Sequence, residues 1–278
     1  MRTAKTNSLQ PVIGIDLSAA RDAGRKTWIT QATWDSSSSE LSVREVSAAS
    51  DLLKVPADPD RLFPAIVDFL REQSSSLVAI DAPLSLPFAA MPDGWHSAMI
   101  EAPVKYPTPE DLRSQLRETK RETDRESKTP MAPGNLRLYR QTHAAVTRLV
   151  HPLITQQAVR VFPLEKASSA LPTLVEGCPA SLLKAYKDTL PLKPYKGNRP
   201  EHREQRQAIL AWLNQQVLID IHKPLAQRVL DNSGGDALDS LLCASIAAGT
   251  LLMLTQPVAP IHRQEGRVFY RLPEAPTG

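Results

Sequence analysis

Two stretches of this sequence end an apolar run on an aspartate: "VIGID" at Asp16 and "LVAID" at Asp81. A third, "GGDALDSLLCASIAAG", sets Asp236 and Asp239 three residues apart at the start of an apolar segment. Residues i and i+3 share one face of a helix. Carboxylates crowded together repel, and some hold their protons near neutral pH. A hard divalent cation, Mg2+ or Mn2+, relieves this. It takes oxygen ligands, keeps several waters and leaves positions open for phosphate oxygens. Two such ions about 4 Å apart activate a water and stabilise the leaving oxygen in phosphodiester cleavage. Asp16, Asp81, Asp236 and Asp239 are therefore the candidate metal ligands and catalytic residues. Each also has a plainer role. An Asp in a first helical turn caps free N–H groups and suits the helix dipole, and a strand-end Asp can hold a turn. Capping does not require the second acid at Asp239. The conjunction of two "ID" strand ends with "DALD" in that chain order is what points to a metal.

These acids need elements to carry them. "VIGIDLS" has a buried-strand pattern, and "KTWITQATW" and "ELSVREVSA" alternate, with a turn over Ser36–Ser39 between them. They predict three strands in an antiparallel meander. "DPDRLFPAIVDFLREQ" puts Leu62, Phe63, Ile66, Val67 and Leu70 on one helical face, with Pro64 tolerable only in the first turn. "SLVAIDAPLSLP" is the next strand, stopped by Pro83 and Pro87. Residues 88–152 are charged and weakly periodic, and read as a helical insertion over one end of the sheet. One helix is expected over "TPEDLRSQLRETKRETDRESK", capped by Thr108 and Asp111, and another over "NLRLYRQTHAAVTRLVHPL". A strand is expected from Ala158 to Phe162. "PASLLKAYKDTL" and "EHREQRQAILAWLNQQVLIDIHKPLAQRVL" read as helices on either side of the basic loop "LKPYKGNRP". The tail "APIHRQEGRVFYRLP" reads as a hairpin turning at Glu265–Gly266. Residues 1–10 form a loose tail, which leaves 11–278 as one domain. The order predicts an α/β fold: a mixed sheet, a meander followed by α-linked strands, with helices on both faces. If the strands ending at Asp16 and Asp81 are parallel neighbours, both acids lie at the edge where α/β sheets bind ligands.

"GIDLS", "VAIDAPL" and "DALD" stand where the ribonuclease-H-like superfamily, and its RuvC-type branch in particular, carries its acids. More closely, the chain resembles the predicted ribonuclease-H-like nucleases of domain of unknown function 429. The resemblance runs through "VIGIDLSAA", "VAIDAPLSLP", "RETDRES", "VRVFPLEKA", "PYKGNRPEHREQRQAIL" and "GGDALDSLLCASIAAG", and extends to "EGRVFYRLPE". It implies a ribonuclease-H-like fold and metal-dependent nuclease chemistry, with Asp16, Asp81 and Asp236 as ligands and Asp239 as a fourth. The family usually has a Glu three residues before the proline of its fifth-strand motif. Here Arg160 stands there, before Pro163, and Glu165 is the nearest acid. Arg121, Asp124 and Arg125 match the family's "RxxDR"-like stretch. An Arg fork suits phosphate, although an exposed helix laced with ion pairs has the same composition. Lys196 matches a family lysine, and Arg203 and Arg206 extend its basic patch. Arg121, Arg125, Lys196 and Arg206 are thus the expected substrate contacts, on a rim that would take nucleic acid, DNA or RNA.

Composition bounds the alternatives. Net charge is +3, compatible with a polyanionic partner without demanding one. Cys178 and Cys243 are far apart, and neither a disulfide framework nor a zinc site is supported. The N-terminus has no apolar signal region and no run reaches the roughly 18 apolar residues of a membrane helix, so the expectation is a soluble, cytoplasmic protein. Two other readings stand beside the metal-dependent hydrolase. One is a non-catalytic nucleic-acid-binding or scaffold protein that keeps the fold, for which Arg160 argues. The other is an actin-like-fold small-molecule phosphotransferase, against which "LSAARDAG" lacks the early glycines that wrap nucleotide phosphates.

Overall fold

Alternation along "LQPVIGID" builds the strand from which the sheet grows, β1 (Leu9–Asp16). Ile13 and Ile15 turn to one core, Val12 to the other. The computed structural model describes residues 9–190 and 193–273. The predicted meander follows: β1 pairs antiparallel with β2 (Trp28–Asp35), and β2 with β3 (Glu40–Ala48), around the turn at Ser36–Ser39. Two short helices, α1 (Ala23–Lys26) and α2 (Ala49–Leu53), and the amphipathic α3 (Pro59–Arg71) lead to β4 (Leu77–Asp81). Asp58 caps α3 through Arg61 N at 3.1 Å. All five apolar residues predicted for its inner face are buried. Pro64 lies inside α3, beyond the first turn to which the sequence reading confined it, because the helix begins as early as Pro59.

β4 lies beside β1 and parallel to it, with Asp16 and Asp81 directly in register. With β5 (Arg160–Val161), β6 (Thr173–Gly177), β7 (Leu218–Ile221) and β8 (Val268–Phe269), the sheet order is β5-β6-β4-β1-β2-β3-β7, with β8 beside β6. This is the mixed α/β sheet that the sequence predicts. Between β4 and β5 (Arg160–Val161) the chain is helical, as expected. It forms α4 (Trp95–Lys105), α5 (Pro109–Leu116), α6 (Glu122–Glu126), and then α7 (Tyr139–Ala144), which runs through a π-helical turn (Ala145–Val150) into α8 (His151–Thr155). The Thr108–Asp111 capping box is present. The long helix expected from Thr108 is instead broken at Arg117, whose φ of +50° no helix accommodates, so α5 and α6 are separate.

Three further expectations are corrected. β6 (Thr173–Gly177) joins the sheet between β5 and β4, in a stretch read without a strand. The helical reading after Pro200 splits into α10 (Pro200–Gln216), β7 (Leu218–Ile221) and α11 (Lys223–Asp231), after α9 (Pro179–Ala185). The β-branched residues of "LIDI" find a partner in β3, which propensity alone does not reveal. α12 (Asp236–Thr250) follows. The tail is not a hairpin: α13 (Pro260–Glu265) precedes β8 (Val268–Phe269), which pairs parallel with β6. Of the loose tail expected over 1–10, residues 1–8 lie outside the described residues, and Leu9 and Gln10 belong to β1.

The sheet has a core on each face. Ile13, Ile15, Val78 and Ile80 meet α3 and the helices of the 88–155 segment; Val12, Leu77, Ala79 and Val175 meet α9–α12. Asp236–Met253 is apolar and long enough to cross a membrane by composition, but 72% of it is buried in the second core. The last elements tie the helical segment down. Glu265 accepts from Phe88 N and Glu122 N, each at 2.7 Å, Val268 N donates to Thr123 Oγ1 at 2.7 Å, and His262 Nε2 meets Glu126 at 2.8 Å.

Candidate metal centre

Strand alternation puts Asp16 on the same side of the sheet as Val12 and Gly14, and Asp81 on the same side as Ala79, facing α12. That helix lies directly on β1 because residue 14 has no side chain. A Cβ there would stand 2.0 Å from Ser240 O and 2.2 Å from Ala244 N. Ser240 Oγ and Thr30 Oγ1, 2.8 Å apart, fix the contact. The close approach carries Asp239, the fourth residue of α12, to the strand ends. One carboxylate oxygen from each of Asp16, Asp81 and Asp239 lies within 4.8 Å of the others.

Asp236 stands outside this trio. It opens α12 half-buried, and its Oδ2 folds back over Gly234, 2.5 Å from where a Cβ on that residue would lie. Residues i and i+3 share a face, which predicts both acids of "DALD" at the site; the first turn delivers only Asp239, because Asp236 sits one turn nearer solvent.

The trio is electrostatically strained. Among the described residues, neither the Asp16 nor the Asp81 carboxylate receives a hydrogen bond. Burial, reinforced by Asp239 and Asp81, pushes Asp16 well above the usual carboxylate range. Burial, then Asp239, pushes Asp81 up to about 7. Asp239 is the exception: Tyr195 Oη donates to its Oδ1 at 2.7 Å and Lys196 Nζ lies 2.6 Å from its Oδ2. Burial works against the Lys196 charge, but Asp239 and Asp16 outweigh it and hold the ammonium firmly protonated. Two carboxylates without donors, Asp16 buried and Asp81 half-buried, open to one cavity beside a third, are an oxygen-only donor set of the kind Mg2+ or Mn2+ takes. The residues fit the ion.

Five carboxyl groups (Asp16, Asp81, Asp124, Glu176 and Asp239) and two cations (Arg121 and Lys196) line that cavity, so formal negative charge exceeds positive by three before any carboxyl takes up a proton. Glu176 was missed from sequence. It is the last residue but one of β6, where Asp16 and Asp81 are the last of their strands, and "TLVEG" repeats their apolar-then-acid pattern. It does not join the trio. Being in register with Ile80 rather than Asp81, it points to the opposite side of the sheet. There it meets Arg121, which is 1% exposed and gives every guanidinium N–H away: to Asp124, to Glu176 and to Ser85. Arg121 therefore has no donor left for a phosphate, and its assignment as a substrate contact is corrected. It pins α6 to the sheet. Arg125 is exposed, pairs with Glu122 at 3.1 Å and does not line the cavity. Arg206 is buried and donates to the carbonyls of Leu230, Tyr195 and Gly197. It fixes the loop that presents Tyr195 and Lys196 rather than touching substrate. Arg203 pairs with Asp231 at 3.3 Å. Of the expected substrate contacts, only Lys196 stands at the acids.

Arg160 and Glu165 face each other at 3.7 Å, and Glu165 accepts from Val161 N at 3.0 Å. Glu165 thus closes a turn at the end of β5 and does not replace the missing acid. Cys178 lines the cavity, but burial pushes its thiol up to about 12, which leaves it inert. Gln141 of α7 donates to the Asp81 carbonyl and ties the helical segment to the strand end.

A family model described as "Protein of unknown function (DUF429)" matches residues 14–254. The chain belongs to the DUF429 family. The match takes in all three acids and stops before α13 and β8, so the clamp around Glu265 lies beyond the part of this DUF429 member that the model covers. Comparison with curated proteins returns no match, and neither does comparison with solved structures.

Proposed function

We propose that this chain is a divalent-metal-dependent hydrolase of phosphodiester bonds in nucleic acid. The observation that carries the reading is the trio: three carboxylates from two adjacent parallel strand ends and one helix, two of them without a hydrogen-bond donor. Mg2+ or Mn2+ bound there would supply charge neutralisation and an activated water. Asp16 and Asp81 offer oxygens from positions locked in register. Asp239 is oriented by the Tyr195 hydroxyl. Lys196 is the remaining cation of the cavity, on a side chain half exposed, and stands ready to neutralise a phosphate oxygen. The Arg206 contacts hold its loop in place.

A second reading is a non-catalytic nucleic-acid-binding protein. It is favoured by one observation, the Lys196 ammonium on Asp239, a built-in cation that answers part of the acids' charge.

Calorimetric titration with Mn2+ of the wild type and of Asp16→Asn, followed by a cleavage screen on single-stranded and branched DNA and RNA, separates the two. Saturable binding lost in the variant, with metal-dependent cleavage, is expected. Equal metal binding by both proteins refutes the metal centre. Tight, metal-independent nucleic-acid binding without turnover establishes the second reading.

A further inference from the structure

The acids do not lie on an open face. Asp16 is 8% exposed and Asp239 2%, and they form the floor of a cavity of about 270 Å3. One wall comes from the helical segment, with Pro130, Met131 and Leu138; Pro179 and Tyr195 also line the cavity, as does Pro83, two residues past the end of β4. The first wall is not a loose loop. Thr129 N donates to Asp124 O at 3.0 Å, Lys120 Nζ to Thr129 O at 2.9 Å, and Gln141 to the Asp81 carbonyl. Arg121 anchors α6 beneath it.

The room is small for the proposed chemistry. Pockets for drug-sized molecules begin at about 300 Å3, so the space over the acids holds a single group of roughly nucleoside size, and a second hollow of about 310 Å3 adjoins it past Tyr195 and Lys196. In a continuous duplex, successive phosphates on a strand are only about 3.4 Å apart along the axis. Bringing one to the buried acids would drag its paired neighbours into the same space. The walls are also of the wrong kind for a duplex backbone. Among the residues that line the cavity, Lys196 is the one cation with donors to spare, whereas three prolines, a methionine, a leucine and a tyrosine ring present flat apolar surface to one base. Base stacking on such side chains tolerates every base.

We infer that the site takes one unpaired nucleotide at a time: a phosphate ester bearing a single nucleoside-sized group, with intact duplex excluded. This rests on the metal-dependent reading for its chemistry. In the reaction, water oxygen bonds to phosphorus, the ester P–O bond breaks, and a proton from the water passes to the leaving oxygen. The ester can be a free nucleotide derivative or the unpaired nucleotide of a single strand.

With Mn2+, hydrolysis is compared for thymidine 5′-(4-nitrophenyl phosphate), linear and circular single-stranded DNA, and covalently closed circular duplex. At least tenfold faster hydrolysis of the ester or the single strands than of the closed duplex is expected. Cleavage of the ester alone assigns a free nucleotide, and cleavage of the single strands as well assigns a strand. Equal rates on the closed duplex overturn the inference. A second measurement does not depend on turnover. Thymidine 5′-monophosphate binding in Ca2+ is followed calorimetrically for the wild type and for Met131→Trp, with Leu138→Trp as the alternative filler should the first fail to fold. At least tenfold weaker nucleotide binding with unchanged Ca2+ binding is expected. Unchanged nucleotide binding in a folded filler variant, or no nucleotide binding by the wild type, overturns the inference. Absence of hydrolysis of every substrate, with nucleotide binding intact, defeats the metal-dependent reading and leaves the cavity assignment standing.

Discussion

Replacing Asp81 by asparagine should make the metal-free protein more stable. Burial and Asp239 raise the Asp81 carboxyl from 3.8 to about 7. Each unit of such a shift corresponds to about 1.4 kcal/mol, so ionising this group inside the fold above pH 7 costs up to about 4 kcal/mol. Asp81 remains partly open to the cavity, and solvent screening brings the expected figure to about 2 kcal/mol. The sign follows from which form the fold prefers. A raised folded value means the native state binds the proton more tightly than the unfolded chain. The wild type is therefore least penalised below 3.8 and loses stability as pH rises towards 7. Asparagine keeps the shape without the charge. Thermal unfolding in EDTA at pH 8 should show the variant melting about 4 °C higher, at roughly 2 °C per kcal/mol for a chain of this size. The gain should shrink as pH is lowered to 5. Mn2+ should reverse the order, because only the wild type gains binding free energy. A variant that melts lower than the wild type at pH 8 in EDTA, or a gain that does not depend on pH, would refute the account of the trio as a frustrated cluster awaiting a cation.

Gly14→Ala should destabilise by about 1–3 kcal/mol through overpacking and weaken Mn2+ binding by lifting Asp239 off the strand ends; urea unfolding and calorimetry check both. Arg121→Met leaves Asp124 and Glu176 buried without their cation and should cost about 3–5 kcal/mol. The triple change Arg121→Met, Asp124→Asn and Glu176→Gln should recover much of that in denaturant melts, which a phosphate-binding role for Arg121 does not predict. Lys196→Met removes the cation that shares Asp239, so Mn2+ affinity at pH 7.5 should rise several-fold by calorimetry; a fall would mean that Lys196 supports the metal rather than competes with it.

The strands were legible wherever apolar runs were long or alternated against turn residues, as with β1 to β4. The acids Asp16 and Asp81 came with them, since an apolar strand ending in Asp is a local pattern. Asp239 was legible as a member of "DALD". Its distinction from Asp236 was not, because that depends on how closely α12 approaches Gly14, a contact between residues more than two hundred positions apart. β7 was hidden because a four-residue strand owes its pairing to β3 rather than to propensity; β8 lay in the arm read as part of a hairpin, but its true partner, β6, was not legible. Arg121 was misread for a related reason. A charged stretch in one sequence looks solvated, and only the fold shows that Glu176 comes from another strand to bury it. Tyr195 stood in the quoted "PYKGNRP", but nothing local to that loop announces a hydroxyl aimed at a helix forty-four residues downstream.

The clamp formed by His262, Glu265 and Val268 bears on how the molecule comes into being. The acids, and the Arg121 contacts that pin α6, are all present once α12 is made; the further ties to α6 and to the segment after Phe88 come from residues synthesised later. On the ribosome, the cluster of acids therefore precedes the last ties on the helical segment beside it. Proteolytic trimming of that end would remove these late ties while leaving every acid, and the Arg121 anchor, in place.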